Sequence, residues 1–280
     1  MTNHPVTRRL LLGGSLGTAA VAALGAQPAD AATLTAAQLT AKLKAYQSSR
    51  GGTFAVALHD RRNGRTFTYQ PTWRNETLSI IKVLIMATVL RRCQERRVNL
   101  TSAQASQAYA MITRSDNTAT NALLTWAGVS NVRRVAGLYG LTSTVIQGGT
   151  TAGASTWWGY STTTVEDQVV LMKGVVWGTT VLTTANRDYL KSLTRRITST
   201  QRWGVCVPPL PSTGVGWETK NGWGPRTGGY RLNSIGHVWG NGRNYTTAIL
   251  SRAPAGFYYG RDTVGGVSRI LYDAMAQPLA

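Results

Sequence analysis

Two side chains at the start of an apolar run have the types and spacing for nucleophilic chemistry. Ser79 and Lys82 lie three residues apart, and an apolar stretch from Val83 to Leu90 follows them. This stretch is apolar on nearly every side, which predicts a buried helix whose first turn carries the serine. Residues three apart share a helix face, so Lys82 can reach the hydroxyl near the positive helix N-terminus. A buried ammonium loses its proton readily, and a neutral Lys82 would accept the proton of Ser79.

A Ser and a Lys three residues apart would arise by chance about once in a chain of this size, so the pair alone is weak evidence. Two further motifs follow it. Ser115-Asp116-Asn117 opens a predicted helix, and its residues are also good helix caps. Lys220-Asn221-Gly222 ends a predicted strand and can be read simply as a strand followed by a turn. The three motifs in this order are much rarer than any one of them. Their occurrence together therefore carries more weight than the pair of Ser79 and Lys82 alone.

The elements that must position these groups follow from hydrophobic periodicity and turn signals. Helical periodicity predicts helices at about 35–48, from Ser79 to 91–97, and at 104–113, 117–126, 131–139, 165–177, 184–195 and 264–275. Alternation predicts strands at 53–60, 65–70, 214–221, 232–239 and 243–252, and Asn63-Gly64 and Asn241-Gly242 mark hairpins. We therefore expect an α+β fold. A five-stranded antiparallel sheet would be flanked by the N- and C-terminal helices, with an all-helical lobe between strands 2 and 3.

The first 31 residues are predicted to be a signal peptide, which leaves residues 32–280 as one domain. Arg8-Arg9 gives a twin-arginine pattern, a modest apolar region follows, and Ala29-Asp30-Ala31 forms a small-x-small cleavage site. The apolar region is short and interrupted, so a membrane span is not expected. We expect a secreted or cell-wall-associated protein that is exported by the twin-arginine route.

The charge balance indicates an affinity for polyanions. Removing residues 1–31 takes away Arg8, Arg9 and Asp30, so the net charge goes from +19 to +18. Because no basic run is interleaved with aromatic residues, nucleic acid is not an expected partner, whereas anionic cell-wall polymers are. The oligomeric state stays open, with a monomer favoured.

Cysteine and histidine usage limits the available chemistry. Cys93 and Cys206 form either one disulfide bridge or two inert buried thiols. No spacing fits a metal site, and no cofactor is expected. After export only His59 and His237 remain as histidines, which gives a Ser-His-Asp triad little material.

The three motifs and their order resemble the class A β-lactamase family of penicillin-recognising serine enzymes, whose elements are S-x-x-K, S-D-N and K-T-G. The likeness extends from the first strand to the last helix and includes Arg114-Ser115-Asp116-Asn117-Thr118-Ala119, the helix-opening Ser161-Thr162-Thr163-Thr164 and the Asn241-Gly242 hairpin. It implies an exported hydrolase that forms an acyl-enzyme with β-lactams or related amides that bear a carboxylate.

The resemblance also implies roles for individual residues. Ser79 would be the nucleophile, Lys82 its activating base, and Ser115 the proton donor to the leaving nitrogen. Asn117 would bind a side-chain amide of the substrate, and Lys220 would bind its carboxylate. The backbone N–H groups of Ser79 and Trp223 would form the oxyanion hole. The remaining substrate-binding residues would be Asn221 and Gly222.

The chain departs from the family in three ways. Class A enzymes activate the deacylating water with a glutamate on the loop before the Ser161 segment, but residues 131–161 contain no Asp or Glu. Glu166 and Asp167 come later and are expected to be surface or capping residues. Asn221 replaces the Thr or Ser of K-T-G, although its amide can still donate to a carboxylate. The segment between Ser79 and Ser115 is shorter than in the family, by about two dozen residues.

These departures leave several alternatives open. A more open cleft, with Trp157, Trp158 and Trp223 nearby, suits a longer or flatter substrate, and structural packing of these tryptophans is an equal alternative. Glu218 shares the strand face of Lys220, where it pairs with that lysine or replaces the missing base. Arg226 or Arg231 is a candidate for binding a substrate carboxylate, or is a solvated charge.

Without the glutamate of the family, the acyl-enzyme formed from a penicillin is expected to be long-lived. The same site would also serve a D-alanyl-D-alanine carboxypeptidase or an esterase. A third alternative is a non-catalytic penicillin-binding or wall-binding protein.

Overall fold

A computed structural model describes residues 34–206 and 214–280, and the elements in these ranges follow the predicted order. The predicted signal peptide, residues 1–31, lies outside the described residues. The helices are α1 (Ala36–Arg50), α2 (Lys82–Arg96), α3 (Ser102–Thr113), α4 (Asn117–Ala127), α5 (Val129–Tyr139), α6 (Val165–Trp177), α7 (Thr184–Arg195) and α8 (Phe257–Ala274). The strands are β1 (Thr53–Asp60), β2 (Thr66–Tyr69), β3 (Asn75–Glu76), β4 (Thr162–Thr163), β5 (Gly216–Arg226), β6 (Gly229–Gly240) and β7 (Arg243–Ala253). Within the part that is described, no helix is both long and apolar enough to cross a membrane.

The predicted α+β class and the five-stranded antiparallel sheet are confirmed. The sheet has the order β2-β1-β7-β6-β5, and the short strands β3 and β4 form a separate pair. Helices α1 and α8 pack on one face of the sheet, where Leu43 and Val267 are fully buried in a common apolar cluster. On the other face, α2 and α6 pack against Ala57 and Ala248. The helical lobe between β2 and β5 thus shares a core with the sheet.

Two element boundaries differ from the sequence prediction and bear on the site. Strand β5 continues to Arg226 and pairs with β6 along its whole length, so Lys220-Asn221-Gly222 lies in mid-strand. The turn falls instead at Thr227 and Gly228, and Gly228 has positive φ. Helix α8 begins at Phe257, seven residues before the predicted Val264, and this added segment borders the site described below.

The two cysteines are both free and buried. Burial raises the pKa of Cys206 to about 12 and also raises the pKa of Cys93. Both thiols are therefore protonated and unreactive at neutral pH. Of the two alternatives left open by the sequence, the structure agrees with a pair of inert thiols.

Candidate active site

Three separate parts of the chain meet at one cleft of about 700 Å³. Ser79 lies in a short 3-10 turn, Leu78–Ile81, that leads directly into α2. Ser115 lies in the turn between α3 and α4, and the buried Lys220 comes from mid-strand in β5. Helix α2 is buried on nearly all sides, as predicted, so the 3-10 turn before it is fixed by the core. Its ten buried residues are Lys82, Val83, Leu84, Ile85, Met86, Ala87, Thr88, Val89, Leu90 and Cys93.

The hydroxyl of Ser115 lies between the two lysines. Its Oγ is 3.2 Å from Lys82 Nζ and 3.0 Å from Lys220 Nζ. Lys82 also donates to the Ser115 carbonyl oxygen at 2.6 Å and to Asn117 Oδ1 at 2.8 Å. In this structure Lys82 therefore bonds Ser115 and Asn117 rather than Ser79, which lies partly exposed in the same cleft. The observed contacts thus connect Lys82, Ser115 and Lys220, and a proton can pass among these three groups.

Burial controls the protonation of both amines. Desolvation, followed by the smaller effect of the nearby Lys220 charge, lowers the pKa of Lys82 to about 6. Desolvation alone lowers the pKa of Lys220 to about 7. Two ammonium groups beside one hydroxyl repel each other, so only one of the two lysines is charged, and the higher pKa makes this Lys220. Lys82 then has a free lone pair, as a general base requires.

The backbone around the two serines is held in strained conformations. Leu78 has φ +48° and Ser115 has φ +60°, and neither is a glycine. Such conformations cost on the order of 1–3 kcal/mol each and persist only where the surroundings fix them. Asn233 on β6 donates to the carbonyl oxygens of Glu76 and Thr77, at 2.8 and 3.2 Å, just before the Ser79 turn. Asp116 caps α4 by accepting from Ala119 N–H at 2.7 Å.

Asn221, Gly222 and Trp223 were predicted to contact substrate from β5, and only Gly222 and Trp223 lie on the side of the Ser79 cleft. Trp223 lines the cleft, and Gly222 lies directly against the Ser79 turn. Asn221 is buried, and its Nδ2 donates to the carbonyl oxygens of Gln201 and Trp203, at 2.7 and 3.0 Å. Both amide hydrogens are thus occupied. The expected hydrogen bond from the Asn221 side chain to a substrate carboxylate is therefore wrong for this structure.

Gly222 is predicted to be intolerant of any side chain. A Cβ there would lie 2.7 Å from Ser79 N, 2.8 Å from Thr77 O and 2.9 Å from Ile80 N, all backbone atoms that cannot rotate away. We expect Gly222→Ala to displace the Ser79 turn, to lower the free energy of unfolding by about 1–3 kcal/mol and to lower reactivity at Ser79. Urea unfolding and covalent labelling measure the two effects.

Gly137→Ala is the matched control for this prediction. It adds the same methyl group at a helical position where nothing lies within 4 Å. The control should be as stable as the wild type or more so. Equal stability and labelling of both variants would contradict the proposed contact.

A tryptophan lies beside Lys82 on the loop that carries no acidic residue. Trp158 is fully buried, and its ring centroid is 5.0 Å from Lys82 Nζ. Its indole N–H donates to Asn121 Oδ1 at 2.8 Å, which ties the loop to α4. No carboxylate among the described residues hydrogen-bonds Lys82. Of the three tryptophans expected near the cleft, Trp157 and Trp223 line it, whereas Trp158 packs beneath Lys82.

The later acidic residues are not available either. Glu166 is exposed in the first turn of α6, as expected for a surface residue. Asp167 is buried and accepts from Ser143 N–H at 2.9 Å and Thr144 Oγ1 at 2.6 Å. The expectation that Asp167 is a surface or capping residue is thus wrong, because it holds the start of the loop in place.

Glu218 forms a buried ion pair, but not with Lys220. Its Oε1 accepts from Arg195 Nη2 at 2.5 Å, and its Oε2 lies 3.0 Å from His237 Nδ1. The hairpin register places His237 opposite Glu218, and Arg195 comes from the end of α7. Glu218 therefore has a structural partner on each side and does not replace the missing base.

Arg226 and Arg231 are also already paired. Both donate to Glu76, at 3.2 and 2.9 Å, and Arg226 additionally stacks on Tyr160 with its guanidinium 3.8 Å from the ring centroid. The expectation that one of them binds a substrate carboxylate finds no free guanidinium here. The cations that do line the cleft are Arg114 and Arg261.

The cleft includes residues that the sequence reasoning did not select. These are Leu78, Arg114, Thr200, Gln201, Phe257, Tyr258 and Arg261. Arg114 directly precedes the Ser115 motif, which was a usable signal. Leu78 directly precedes Ser79 in the same 3-10 turn. The remaining residues come from a second 3-10 turn, Ser199–Gln201, and from the unpredicted start of α8, and no local pattern connects either segment to Ser79.

Comparison with known proteins gives one family and many similar folds. The model of a beta-lactamase enzyme family matches residues 38–105 and 104–275. No curated protein matches the sequence. A class A beta-lactamase from Bacteroides cellulosilyticus DSM 14838 is similar in structure, with a TM-score of 0.75 and 17% identity over 87% of this chain and 99% of that one.

Two further solved structures have similar values. The class A beta-lactamase from Mycobacterium abscessus has a TM-score of 0.71 and 20% identity, over 85% of this chain and 100% of that one. The beta-lactamase from Streptosporangium roseum has a TM-score of 0.71 and 20% identity, over 85% and 98%. At such identities the structural likeness concerns the fold alone.

Proposed function

The chain belongs to the beta-lactamase enzyme family, a class A-like family of serine hydrolases, and we propose that it forms an acyl-enzyme at Ser79 that water attacks slowly. The observation that carries the proposal is the position of Ser115 Oγ between two buried amines, in the cleft that also holds Ser79. The proposed substrates are β-lactams or related D-alanyl amides that bear a carboxylate.

Acylation would require Lys82 to turn from its present partners toward Ser79, after which the proton would pass along the observed contact to Ser115. Ser79 Oγ attacks the carbonyl carbon, and neutral Lys82 takes its proton. The C–N bond then breaks, and Ser115 gives its own proton to the leaving nitrogen while it receives one from Lys82 at 3.2 Å. The charge of Lys220 stabilises the passing alkoxide of Ser115 and attracts the substrate carboxylate.

Substrate would be held from both sides of the Ser79 turn. The backbone N–H groups of Ser79 and Trp223 are proposed to bind the oxyanion, because Gly222 brings β5 against Ser79 N. Asn117 is proposed to bind a side-chain amide of the substrate, since it lines the cleft next to Ser115. Removing one oxyanion donor typically costs on the order of 10²–10³ in rate.

Deacylation is the step for which the described residues offer no carboxylate base beside Lys82. Trp158 lies next to Lys82, and no carboxylate contacts this lysine among the residues described. Lys82 is neutral again once it has returned its proton to Ser115, but its contacts are with Ser115 and Asn117, so a water molecule near the ester would lack a carboxylate base. This favours a persistent β-lactam acyl-enzyme over rapid β-lactam turnover, and hydrolysis in the carboxypeptidase or esterase alternative would depend on the same lysine.

Intact-mass spectrometry with a penicillin and turnover of a chromogenic cephalosporin test the proposal. We expect a stoichiometric adduct that maps to Ser79, with slow loss. Fast turnover without an adduct would mean that another group activates water. No adduct at all, and no difference between wild type and Ser79→Ala, would leave only a non-catalytic wall-binding protein.

The pH dependence of acylation follows from the two lysines. The rate should rise with pH through about 6 as Lys82 loses its proton, and fall above about 7 as Lys220 becomes neutral. Stopped-flow labelling with a substrate that does not titrate in this range measures the profile. Lys220→Arg keeps the charge at high pH, so its alkaline limb should disappear if the variant folds. A flat wild-type profile from about pH 5 to 9 would contradict these roles, because both limbs lie within that range.

Location is a further part of the proposal. The twin-arginine pattern of residues 1–31 and the net charge of +18 after its removal support an exported protein that associates with anionic cell-wall polymers. A mature chain that begins at Ala32 in the culture medium or wall fraction of a secreting host would support this, and an uncleaved cytoplasmic chain would refute it.

A further inference from the structure

A second cavity of about 480 Å³ lies next to the catalytic cleft. Thr200 and Arg261 line both spaces, so the two are neighbours across these residues. Three arginines line the second cavity, namely Arg202, Arg261 and Arg269. We call it the arginine cavity.

The positive charge of the arginine cavity is only partly neutralised. Its one acidic residue among those described is Asp262, whose exposed carboxylate is 3.3 Å from Arg261 Nε and Nη2. Arg202 has only the ring of Trp217 beneath its guanidinium, at 5.7 Å, and Arg269 has no hydrogen bond or ion pair within the described ranges. The neighbouring residues 207–213 contain no Asp or Glu in sequence. Three guanidinium groups therefore face one carboxylate.

Polar atoms without partners collect in the wall between the two spaces. The buried Trp203 Nε1, Gln201 Oε1 and Asn221 Oδ1 all lack a hydrogen-bond partner in the described structure. Asn221 connects them, because its amide bonds the carbonyl oxygens of both Gln201 and Trp203. Buried polar groups are normally paired, so these three atoms, which solvent does not reach, leave the wall between the two spaces incompletely hydrogen-bonded.

The side of the cleft identifies which half of a substrate would reach this cavity. Thr198 N–H donates to the Thr113 carbonyl oxygen at 3.0 Å, which fixes the Ser199–Gln201 turn beside the Ser115 turn. Ser115 is the proposed proton donor to the leaving nitrogen. A group that extends past Ser115 and Thr200 therefore belongs to the leaving half of the substrate.

We infer that the arginine cavity binds a second negative charge on the leaving half, so that the protein prefers substrates whose leaving half carries two carboxylates. The inference rests on the proposed function, since it assumes that the leaving half lies at Ser115. One carboxylate would lie near Lys220, and the other would be bound by the guanidinium groups of Arg202, Arg261 and Arg269. Arginine binds carboxylates through paired, charge-assisted hydrogen bonds.

Calorimetric binding of two isosteric peptides to the Ser79→Ala protein tests the inference without any reaction. The probes are N-acetyl-D-alanyl-D-glutamate and N-acetyl-D-alanyl-D-glutamine, which differ only in the charge of the distal group. The dissociation constant for the glutamate peptide should be about tenfold smaller than that for the glutamine peptide. This is the gain expected from one additional charge-assisted contact to partly exposed arginines. Adding Arg269→Ala or Arg202→Ala should remove most of this preference.

Arg65→Ala in the same background is the matched control. Arg65 is exposed and precedes β2, at the opposite edge of the sheet from β5, so it removes the same charge far from the cavity. Equal affinities for the two peptides, no binding of either, or an equal loss of preference in the Arg65 variant would overturn the inference. Failure of the proposed function is seen separately, as absence of β-lactam labelling of Ser79 in the wild type.

Discussion

Lys82→Met should slow acylation at Ser79 by about 10²–10⁴-fold, the range that general-base catalysis typically contributes. Methionine fills a similar volume in the fully buried position but has no amine to take the Ser79 proton. It also ends the contact to Ser115 Oγ, which then depends on Lys220 alone. Rates of covalent labelling by a penicillin, followed by intact mass, measure the loss.

A structural cause for this loss can be separated from a chemical one. Lys82→Met removes an amine that is costly to bury, so the protein should remain folded, although Ser115 O and Asn117 Oδ1 lose a donor. Circular dichroism and thermal unfolding check this. Lys44→Met, at an exposed position of α1, should label at the wild-type rate. A folded Lys82 variant that also labels at that rate would remove Lys82 from the mechanism.

The local surroundings of Lys82 and Ser115 follow from local sequence patterns. Apolar residues all around α2 place Lys82 in the core, and that burial in turn lowers its pKa. The Ser115 motif starts α4 through a cap, which local chemistry also encodes. The predicted α+β fold is confirmed, and the two predicted hairpin turns account for the β1-β2 and β6-β7 neighbours of the sheet, whereas the β1-β7 pairing joins distant segments.

The orientation of Asn221 follows from strand alternation. Successive residues of a strand point to opposite faces, so Asn221 cannot share the face of its neighbour Lys220. The predicted strand, 214–221, already contains Asn221, so the sequence was sufficient for this conclusion. The strand in fact continues to Arg226, and Asn221 points to the Gln201 and Trp203 carbonyl oxygens.

The ion-pair partners could not be predicted from the sequence because the paired residues lie in distant segments of the chain. Glu218 meets Arg195 from α7, and Glu76 meets both Arg226 and Arg231 from the hairpin of β5 and β6. In a chain with 30 Lys and Arg residues and 11 Asp and Glu, each carboxylate has many possible partners, so spacing does not choose among them. Tertiary packing alone makes the choice.

The sequence shows that the loop has no acidic residue, but it does not show that Trp158 occupies the place beside Lys82. Trp158 reaches Lys82 because Asn121 accepts from its indole N–H and because the loop is joined back on itself between Gly149 and Trp157. The region beside Lys82 is thus filled by an apolar ring. This arrangement excludes water from one side of the lysine as well as removing the base.

Trp158→Glu should accordingly raise the rate of deacylation by about 10²-fold, toward the lower end of what a positioned base contributes. The carboxylate would lie on the loop next to Lys82, where the ring centroid is now 5.0 Å from Nζ. Loss of a buried tryptophan costs on the order of 3–5 kcal/mol, so the variant must first be shown to fold. Decay of the labelled protein, followed by intact mass after removal of excess penicillin, gives the rate.

Trp158→Gln separates the base from the space that the substitution opens. Glutamine has the shape of glutamate and leaves the same gap, but it cannot take a proton from water. If the space alone admits water, both variants should lose the adduct equally fast. A faster loss only in the glutamate variant would assign the slow step to the missing carboxylate. If both variants fold and acylate but keep the adduct as long as the wild type does, something other than Trp158 protects the ester.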